Sequence, residues 1–545
     1  MTDVLIVPEG PPTAGTAVST AATHPAVKPV RIKKITLCDF RAFAGPEPVT
    51  IDLGDGKNLL VYGENGAGKS SIFHALDEFF SVAERYPSAR KDKLKALKNI
   101  FSGKPDDDVL VEIEFDDGAA PAKWNNKRHP VDASPGSADS RVVNAAFRKA
   151  ILDYRSLLET NFRYNKDEIN LFDVCVNVLL RDFPAPHNGK GERLFDLWQR
   201  VRLKPHTKPL REYEKTEIRA LCSSINGALD GAVKALCPIA NELLAELGWG
   251  EIKLESLELA GLNFKDARLV KDRRLDGEKI TPVLTFLGQE LPKPQNFLNE
   301  ARLSALALAI YFAGRELCAA TLQADTPRIM VLDDVLIGLD QSNRLPVLDL
   351  ISKRFSGWQT ILLTHDRVWF EMARMHLQPE ADWKCIEMFE GKEPSGLVRP
   401  IVKPANTDTV AENIAKARAF HAVHEYSAAT VHARMAFELI LKKICDKKAI
   451  PVRFHMEAQK LSTEELLTAF ENWLGLVRQA TAKPLIDPAI ASIKMYRKVV
   501  LNPFSHSTPV TLSSNEVLGA IDAVEALKAT IHTNLTQSNN AGAAT

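Results

Sequence analysis

The sequence predicts an α/β fold with a mixed, largely parallel sheet, a helical insertion and an all-α C-terminal domain. Two observations lead to this prediction. In the first 400 residues or so, short apolar runs typical of buried strands alternate with amphipathic helical patterns. Beyond about residue 403 the pattern is helical as far as Asn534. Strands that alternate with helices favour a parallel sheet with helices on both faces.

The N-terminal part begins with three predicted strands. Alternating or apolar runs place them at Arg31–Phe43, Val49–Leu53 and Asn58–Tyr62. The third run leads into a glycine-rich loop, and a helix is predicted after it at Ser70–Phe80. A further strand is predicted at Val109–Phe115, where every second residue is apolar.

The rest of the first 400 residues divides into a helical stretch and a second mixed stretch. Helices are predicted at Ala145–Asn161, Asp167–Arg181, Glu217–Leu247, Glu300–Leu322, Leu345–Phe355 and Arg367–His376. Strands are predicted at Leu254–Leu259, Arg328–Leu332 and Thr360–Thr364, and a linker at Pro400–Asn406. We therefore expect a disordered leader at 1–30, two lobes of one domain at 31–135 and 285–402, a helical insertion at 136–284 and a C-terminal domain at 403–545.

Composition limits the classes of function. The 545 residues include 69 Lys and Arg and 69 Asp and Glu, so the formal net charge is zero. Binding to nucleic acid through bulk positive charge is therefore excluded, although a local basic patch is not. No apolar run reaches the roughly 18 residues of a membrane span. The seven Cys lack CxxC spacing, which predicts free thiols in the cytoplasm rather than disulfides or a zinc site.

The strongest motif is a phosphate-binding loop of the Walker A pattern, G-x-x-x-x-G-K-[ST]. It lies between a predicted buried strand and a predicted helix, which is the context that the motif requires. Its glycines allow backbone N–H groups to approach a phosphate closely, and the helix N-terminus adds partial positive charge. The residues predicted to bind the phosphates are Gly63, Glu64, Asn65, Gly66, Ala67, Gly68, Lys69, Ser70 and Ser71. Lys69 is also predicted to act on the terminal phosphates, and Ser70 to ligate Mg²⁺.

An acidic pair follows a second apolar strand. Asp333 and Asp334 come at the end of the run Ile329–Leu332. We predict that Asp333 holds Mg²⁺ and that Asp334 orients or deprotonates an attacking water. Taken alone, two acids at a strand end could equally cap the following turn.

Three further segments make the chain resemble the ABC-type ATPase heads of the RecF, Rad50 and SMC group. Gly338-Leu339-Asp340 follows the acids at the spacing of a D-loop, and Ile361–Asp366 resembles the strand and switch histidine, His365. The opening Lys34–Phe43 is similar to the first strand of these heads. The resemblance implies that ATP and Mg²⁺ are bound, that His365 contacts the γ-phosphate, and that Asp340 reaches a partner subunit.

The signature segment differs from the family pattern. The family has Leu-Ser-Gly-Gly-Glu/Gln before a long helix, whereas this chain has Leu298-Asn299-Glu300-Ala301-Arg302. The resemblance implies that Asn299 and Arg302 contact a nucleotide held by the opposite subunit, so that two heads pair around two ATPs. Lys69 of one chain and Asn299 of the other would then share a site. The segment Asp153–Arg155 could begin a lid, but the start of a surface helix is favoured.

Two features concern nucleic acid. Basic residues cluster at Arg90–Lys98, around Arg200–Arg211 and around Arg268–Arg274, and each cluster is either a phosphate-binding patch or an ordinary solvated face.

The helix His424–Ile444 is similar to HEPN-type bundles, some of which are RNases. The nearest match to their catalytic pair is Arg497 and His506, with Pro503 between them. A non-catalytic bundle is therefore favoured.

The resemblance implies an ATP-gated dimer that regulates a nucleic-acid-directed activity. Stand-alone proteins of this build resemble bacterial anti-phage defence ATPases of the Septu kind, some attached to retrons, which pair with a separate HNH nuclease. Two alternatives stay open. One is a DNA-repair ATPase that acts on DNA ends or gaps, and the other is a toxin with a HEPN-like C-terminal RNase.

Overall fold

The computed structural model divides the chain into two compact units, of which the first ends at Pro404 and the second begins at Ala405. The structure describes residues 29–81, 87–103, 108–132, 139–146, 150–153, 170–203, 210–267, 269–319, 326–377, 382–392, 396–405, 408–453, 461–476, 479–501 and 513–536.

The described part of the first unit contains seventeen strands and ten α-helices. The strands are β1 Ile32–Cys38, β2 Val49–Asp52, β3 Asn58–Gly63, β4 Leu110–Phe115, β5 Ala122–Asn125, β6 Ala150–Asp153, β7 Pro184–His187, β8 Lys190–Arg193, β9 Ile252–Leu259, β10 Asn263–Lys265, β11 Arg274–Asp276, β12 Ile280–Phe286, β13 Gln289–Glu290, β14 Ile329–Asp333, β15 Gln359–Thr364, β16 Trp383–Lys392 and β17 Val398–Pro404. The helices are Lys69–Ser81, Pro87–Ala96, Ser140–Ala146, Phe172–Val174, Leu194–Leu203, Glu212–Glu246, Pro294–Phe297, Glu300–Ala319, Gln341–Arg354 and Arg367–Leu377. A π-helix, Cys175–Leu179, continues the fourth of them.

A six-stranded sheet forms the centre of this unit. Its strand order is β17-β16-β3-β15-β14-β6, and every pair is parallel except β16 with β17. Strands β14 and β15 are buried along their whole length, and β3 from its second residue on, and their centres are apolar, as expected for strands covered on both faces. The predicted α/β fold with a mixed, largely parallel sheet is confirmed.

A second, antiparallel sheet packs against this core in the order β2-β1-β4-β5. The buried side chain of Gln359, at the start of β15, joins the two sheets. Its Oε1 accepts from the Ile32 N–H at 2.6 Å, and its Nε2 donates to the Ile32 and Lys57 carbonyls at 2.7 and 2.9 Å. Because Gln359 and Ile32 are buried, the two bonds between them fix β1 on the core, and the third bond joins Gln359 to the residue before β3.

Residues 150–153 correct the sequence prediction. The helix expected over Ala145–Asn161 is wrong for them, because they form β6, which pairs in parallel with β14 and sets Asp153 beside Asp333. The region 136–284 therefore contributes a strand to the central sheet, and it also includes the antiparallel strands β7 to β12. The short apolar run Ala150–Leu152 satisfies either period, and the edge of the sheet decides the outcome.

The linker expected at Pro400–Asn406 is also corrected. As far as Pro404 this segment belongs to β17, an edge strand that pairs with β16 alone. Prolines are tolerated at a sheet edge because a missing N–H on the open side removes no ladder hydrogen bond.

The long helix Glu212–Glu246 packs against the helix Glu300–Ala319. Arg354, at the end of the helix Gln341–Arg354, ties both of them together. Its guanidinium donates to Glu242, Glu246 and Glu316 at 2.7 to 3.2 Å, and these carboxylates raise its pKa. Three helices from distant parts of the sequence are thus joined by one ionic cluster.

The described part of the second unit is helical. Its helices are Thr409–Ala422, Tyr426–Lys447, Thr463–Leu474, Lys483–Tyr496 and Ser514–Thr536, and a π-helix at Arg497–Leu501 continues the fourth. They enclose their own apolar core, in which Phe437, Phe470 and Leu527 are almost fully buried. Among the helices that the structure describes, none is both long and apolar enough to cross a bilayer.

His129 makes the stability of the first unit depend on pH. Its ring is buried against Phe79 and Trp124, its Nε2 lies 2.9 Å from the Phe79 carbonyl, and its Nδ1 lies 3.4 Å from the Val131 N–H. The neutral Nε2–H tautomer satisfies both partners. Burial, together with the nearby Arg90, lowers the pKa of His129 to about 4, although Asp132 and Asp139 oppose the shift.

We predict that a His129→Gln variant is less sensitive to acid than the wild type. Because the folded pKa lies below the unfolded value near 6.5, protonation favours the unfolded chain. The wild type should lose stability from this residue as the pH falls from 6.5 to 4, by about 3 kcal/mol in total, whereas glutamine does not titrate. Urea unfolding across this pH range measures the difference, and parallel stability curves for the two proteins would contradict it.

Candidate nucleotide-binding site

The site forms where neighbouring parallel strands end. Strand β3 runs into the glycine loop, β14 ends at Asp333, and β15 ends immediately before His365. Since the carboxyl ends of parallel strands meet at one edge of a sheet, three segments far apart in the sequence are brought together there. The hydroxyl of Ser70 donates to Asp333 Oδ2 at 3.0 Å, across 263 positions of sequence.

The backbone of the loop requires glycine at two positions. Gly66 and Gly68 have φ values of 90° and 95°. A Cβ on Gly68 would also lie 2.6 Å from Cγ of Pro400, on β17. Ala67 is buried, Glu64 and Asn65 are exposed, and Ser71 accepts a hydrogen bond from the Ala42 N–H at 3.3 Å. The loop is therefore held close to both β17 and the segment that follows β1.

Lys69 begins the helix that follows the loop and is only 5% exposed. Its ammonium group donates to the carbonyls of Gly63 and Glu64 at 2.5 and 3.1 Å. Burial lowers the pKa of Lys69, and the carboxylates of Asp334 and Asp333 oppose this shift. The site thus places one buried cation between a phosphate-binding loop and two acids.

Asp333 has the surroundings of a cation ligand. It is buried, and its Oδ1 has no hydrogen-bond partner, whereas its Oδ2 accepts from Ser70. Burial and the neighbouring Asp334 raise the pKa of Asp333 to about 6, although Ser70 and Lys69 act in the opposite direction. A buried carboxylate oxygen without a partner is costly unless a positive group compensates it. Magnesium, which prefers oxygen ligands, fits this arrangement of Asp333 and Ser70.

Asp334 is held in place by His365. Its Oδ1 accepts from the His365 backbone N–H at 3.0 Å, and its Oδ2 lies 2.9 Å from the ring Nδ1. Asp334 also has a φ of 56°, a strained conformation for a residue with a side chain. Because this contact uses Nδ1, Nε2 is the ring nitrogen through which His365 could reach a phosphate. In the structure, His365 therefore contacts both carboxylate oxygens of Asp334.

Asn299 and Asp340 lie in a different depression of the surface. With Glu300, Gly338 and Arg344 they line a hollow that contains no residue of the phosphate loop. Asn299 Oδ1 accepts from the Arg302 N–H at 3.0 Å, as at a helix N-terminus, and a Cβ on Gly338 would meet Ser304 Oγ at 2.4 Å. The predicted signature segment and D-loop are thus neighbours, and within one chain they are separate from Lys69.

The resemblance implied that Arg302 contacts a nucleotide held by the opposite subunit. In the structure, its side chain does not extend toward this hollow. Its guanidinium lies over the rings of Phe286 and Trp249, with centroid distances of 5.0 and 5.7 Å. The side chain is therefore bound within its own domain.

The expectation for Asp153 is corrected, whereas both alternatives for the basic clusters stay open. Asp153 does not begin a surface helix but ends β6. Arg90, Arg200 and Arg273 have acidic partners, as do Lys93 and Arg274. Lys204, Lys208 and Arg268 lie outside the described residues. These five side chains thus have much of their charge balanced locally.

The described residues of the second unit give little support for the predicted HEPN pair, Arg497 and His506. Arg497 forms an ion pair with Glu464. His506, Asn502 and Pro503 lie outside the described residues, so the pairing of Arg497 with His506 stays a prediction.

Sequence reasoning missed part of the cleft around the loop. Arg41, the segment Ala96–Phe101, Glu390 and the segment Val398–Pro400 line it together with Lys69, Ser70 and Asp334. Arg41 stands in the first-strand segment that the resemblance used, so that motif could have identified it. Ala96, Leu97 and Lys98 belong to the basic cluster Arg90–Lys98, whereas the others reach the cleft only through tertiary packing and no local motif marks them.

The comparisons agree with this architecture. The family described as RecF/RecN/SMC N terminal domain matches residues 31–381, so the chain belongs to this family. The fold is that of an SMC head, an ABC-type ATPase fold, and members of the family are generally ATPases that use ATP and Mg²⁺. No curated protein matches the chain.

Solved SMC heads are similar at low identity. An SmcHead bound to the C-winged helix domain of ScpA is 16% identical, with a TM-score of 0.34, and the match covers 69% of this chain and 98% of that one. A Pyrococcus furiosus Smc head with an extended coiled coil, bound to the C-terminal domain of ScpA, is 15% identical, with a TM-score of 0.34 and coverage of 69% and 96%. The SMC head domain from Thermotoga maritima is 14% identical, with a TM-score of 0.29 and coverage of 69% and 100%.

We predict that Gly68→Ala weakens nucleotide binding by about 5- to 150-fold without unfolding the protein. The new Cβ meets Pro400 and also strains a backbone with φ of 95°, at a cost of about 1–3 kcal/mol. Titration calorimetry with an ATP analogue measures the affinity. Gly231→Ala, in an open helical position with nothing within 4 Å, is the control that should bind normally. Equal affinity in the two variants would contradict the assigned loop geometry.

Proposed function

We propose that this chain is a Mg²⁺-dependent ATPase whose heads pair when ATP is bound, and that the pairing regulates a nucleic-acid-directed activity of a partner nuclease in anti-phage defence. The observation that supports the ATPase most strongly is the meeting of the Lys69 loop with Asp333, Asp334 and His365 at one sheet edge. The finer role rests on the resemblance to defence ATPases.

The phosphates would lie on the glycine loop. Its backbone N–H groups and the start of the helix Lys69–Ser81 provide donors and partial positive charge, and Lys69 adds a full charge. Ser70 and Asp333 would hold Mg²⁺, which neutralises phosphate charge during phosphoryl transfer. The unpartnered Asp333 Oδ1 and the adjacent Ser70 hydroxyl are the observations that favour this assignment.

Asp334 would orient the attacking water and accept its proton. Two hydrogen bonds from His365 hold both carboxylate oxygens of Asp334, so the group is positioned before the reaction. Preorganised groups of this kind lower the barrier because they do not have to reorient during the chemical step. Asp334 also lines the cleft that contains Lys69.

A second head would complete the site. Asn299 and Asp340 share a hollow that is separate from the Lys69 cleft, and Asp340 is exposed. In the proposed dimer, Asn299 of one chain contacts the nucleotide held by Lys69 of the other. ATP would then stabilise the paired state because these contacts exist only there.

We predict that Asp334→Asn traps an ATP-bound dimer. Loss of the general base should reduce hydrolysis by about 10²- to 10⁴-fold, while Lys69, Ser70 and Asp333 still bind ATP. Light scattering after size-exclusion chromatography, with and without ATP, measures the change in mass. Asp349→Asn is a matched control because Asp349 also pairs with a histidine, His376, but does not line the cleft. Wild-type hydrolysis by Asp334→Asn would contradict the role of Asp334.

We predict that a nuclease encoded beside this chain binds it only when ATP can be bound. The complex should form with the wild type and be lost with Lys69→Ala, since the variant lacks the cation in the phosphate loop. Co-purification and nuclease assays with both proteins measure the effect. Hydrolysis stimulated by DNA, with no nuclease bound, would instead support a repair ATPase, and toxicity of the isolated chain that depends on Arg497 would support a toxin.

A further inference from the structure

The most exposed large apolar side chains of the described residues lie at the rim of the nucleotide cleft. Ile100 is 87% exposed and Phe101 is 73% exposed. Both line the same cleft as Lys69, Ser70 and Gly66. Neither belongs to the phosphate loop, the acid pair or any motif found in the sequence.

The backbone beneath this pair is held by hydrogen bonds from a buried residue. Asn99 is 5% exposed, its N–H donates to the Asp39 carbonyl at 2.9 Å, and its Nδ2 donates to the Arg41 carbonyl at 2.5 Å. Its Oδ1 accepts from the Phe101 N–H at 2.9 Å, and the Arg41 N–H donates to Leu97 at 2.8 Å. The two side chains are therefore presented to solvent by an anchored turn.

The cleft itself indicates what would cover them. The glycine loop and Lys69, which suit phosphates, line the same cleft as the exposed side chains of Ile100 and Phe101. A nucleoside triphosphate has the matching chemistry in one molecule, because its charged phosphates are joined through a sugar to a flat base. Aromatic rings stack on bases in offset or tilted arrangements and shield apolar surface in doing so.

We propose that Ile100 and Phe101 form the platform on which the base of the bound nucleotide rests. This inference depends on the proposed function, since it assigns the base to a site whose phosphate end is the Lys69 loop. Asn99 uses its amide within the turn, so the platform contributes stacking and apolar contact rather than recognition of hydrogen-bonding groups on the base.

Calorimetry on the full-length chain tests the platform with two probes, a non-hydrolysable ATP analogue and inorganic tripolyphosphate, each with Mg²⁺. Tripolyphosphate has the charges of the nucleotide but no base. Phe101→Ala should weaken binding of the ATP analogue by about 5- to 100-fold and leave tripolyphosphate binding unchanged. Tyr213→Ala removes another exposed aromatic ring, 64% exposed on the long helix, and should change neither affinity.

A second variant gives a spectroscopic signal. Phe101→Trp should keep the affinity for the ATP analogue, and its added tryptophan fluorescence should be quenched when the base stacks on it. Unchanged affinity of Phe101→Ala for the ATP analogue, or equal losses for both probes, would overturn the platform. So would an effect on head pairing alone, which would make the pair a subunit contact.

If the proposed function is wrong, the same binding measurements give a different result from the one expected when only the platform is wrong. If the wild type binds neither the ATP analogue nor tripolyphosphate, the nucleotide site itself is wrong and the platform falls with it. If the wild type binds both probes and Phe101→Ala behaves like Tyr213→Ala, only the platform is wrong.

Discussion

The contact between Ser70 and Asp333 is the constraint on which the candidate site depends. It joins the start of the phosphate-loop helix to the end of β14, two strands away in the central sheet. Burial raises the pKa of Asp333 and leaves its Oδ1 without a partner, so this part of the fold stores an unfavourable interaction. A site that is unfavourable until a cation binds is expected where function, rather than stability, selects the residues.

The rest of the first unit keeps this edge of the sheet rigid. Gln359 fixes β1 to the core by hydrogen bonds to backbone groups, and so positions the segment that carries Arg41. Pro400 on β17 lies against Gly68 of the phosphate loop. Arg344 links the two neighbouring loops, because its guanidinium donates to the Leu339 carbonyl at 2.9 Å and to Asp366 at 2.6 Å. The segment Gly338–Asp340 and the segment that follows β15 are therefore joined by one side chain.

The sequence was most informative where local pattern and chemistry coincide. The strand–loop–helix around Lys69 and the apolar strand before Asp333 could be predicted because each needs only nearby residues. Strands β6 and β17 could not be predicted in this way, because a run such as Ala150–Leu152 becomes a strand only when β14 is available as a partner. The contact of His365 with Asp334, and the position of Phe101 in the cleft, likewise depend on packing between distant segments. Local rules do not contain that information.

In the proposed site, Ser70 and Asp333 hold one Mg²⁺ against the phosphates bound by Lys69. A double-mutant cycle on the Mg²⁺ dependence of ATP affinity, with Ser70→Ala and Asp333→Asn, is the decisive measurement. We expect Mg²⁺ to strengthen ATP binding by the wild type, each single substitution to remove most of this gain, and the double substitution to remove little more, because both residues act on one ion. Additive losses, or a full Mg²⁺ effect in the double variant, would contradict the claim.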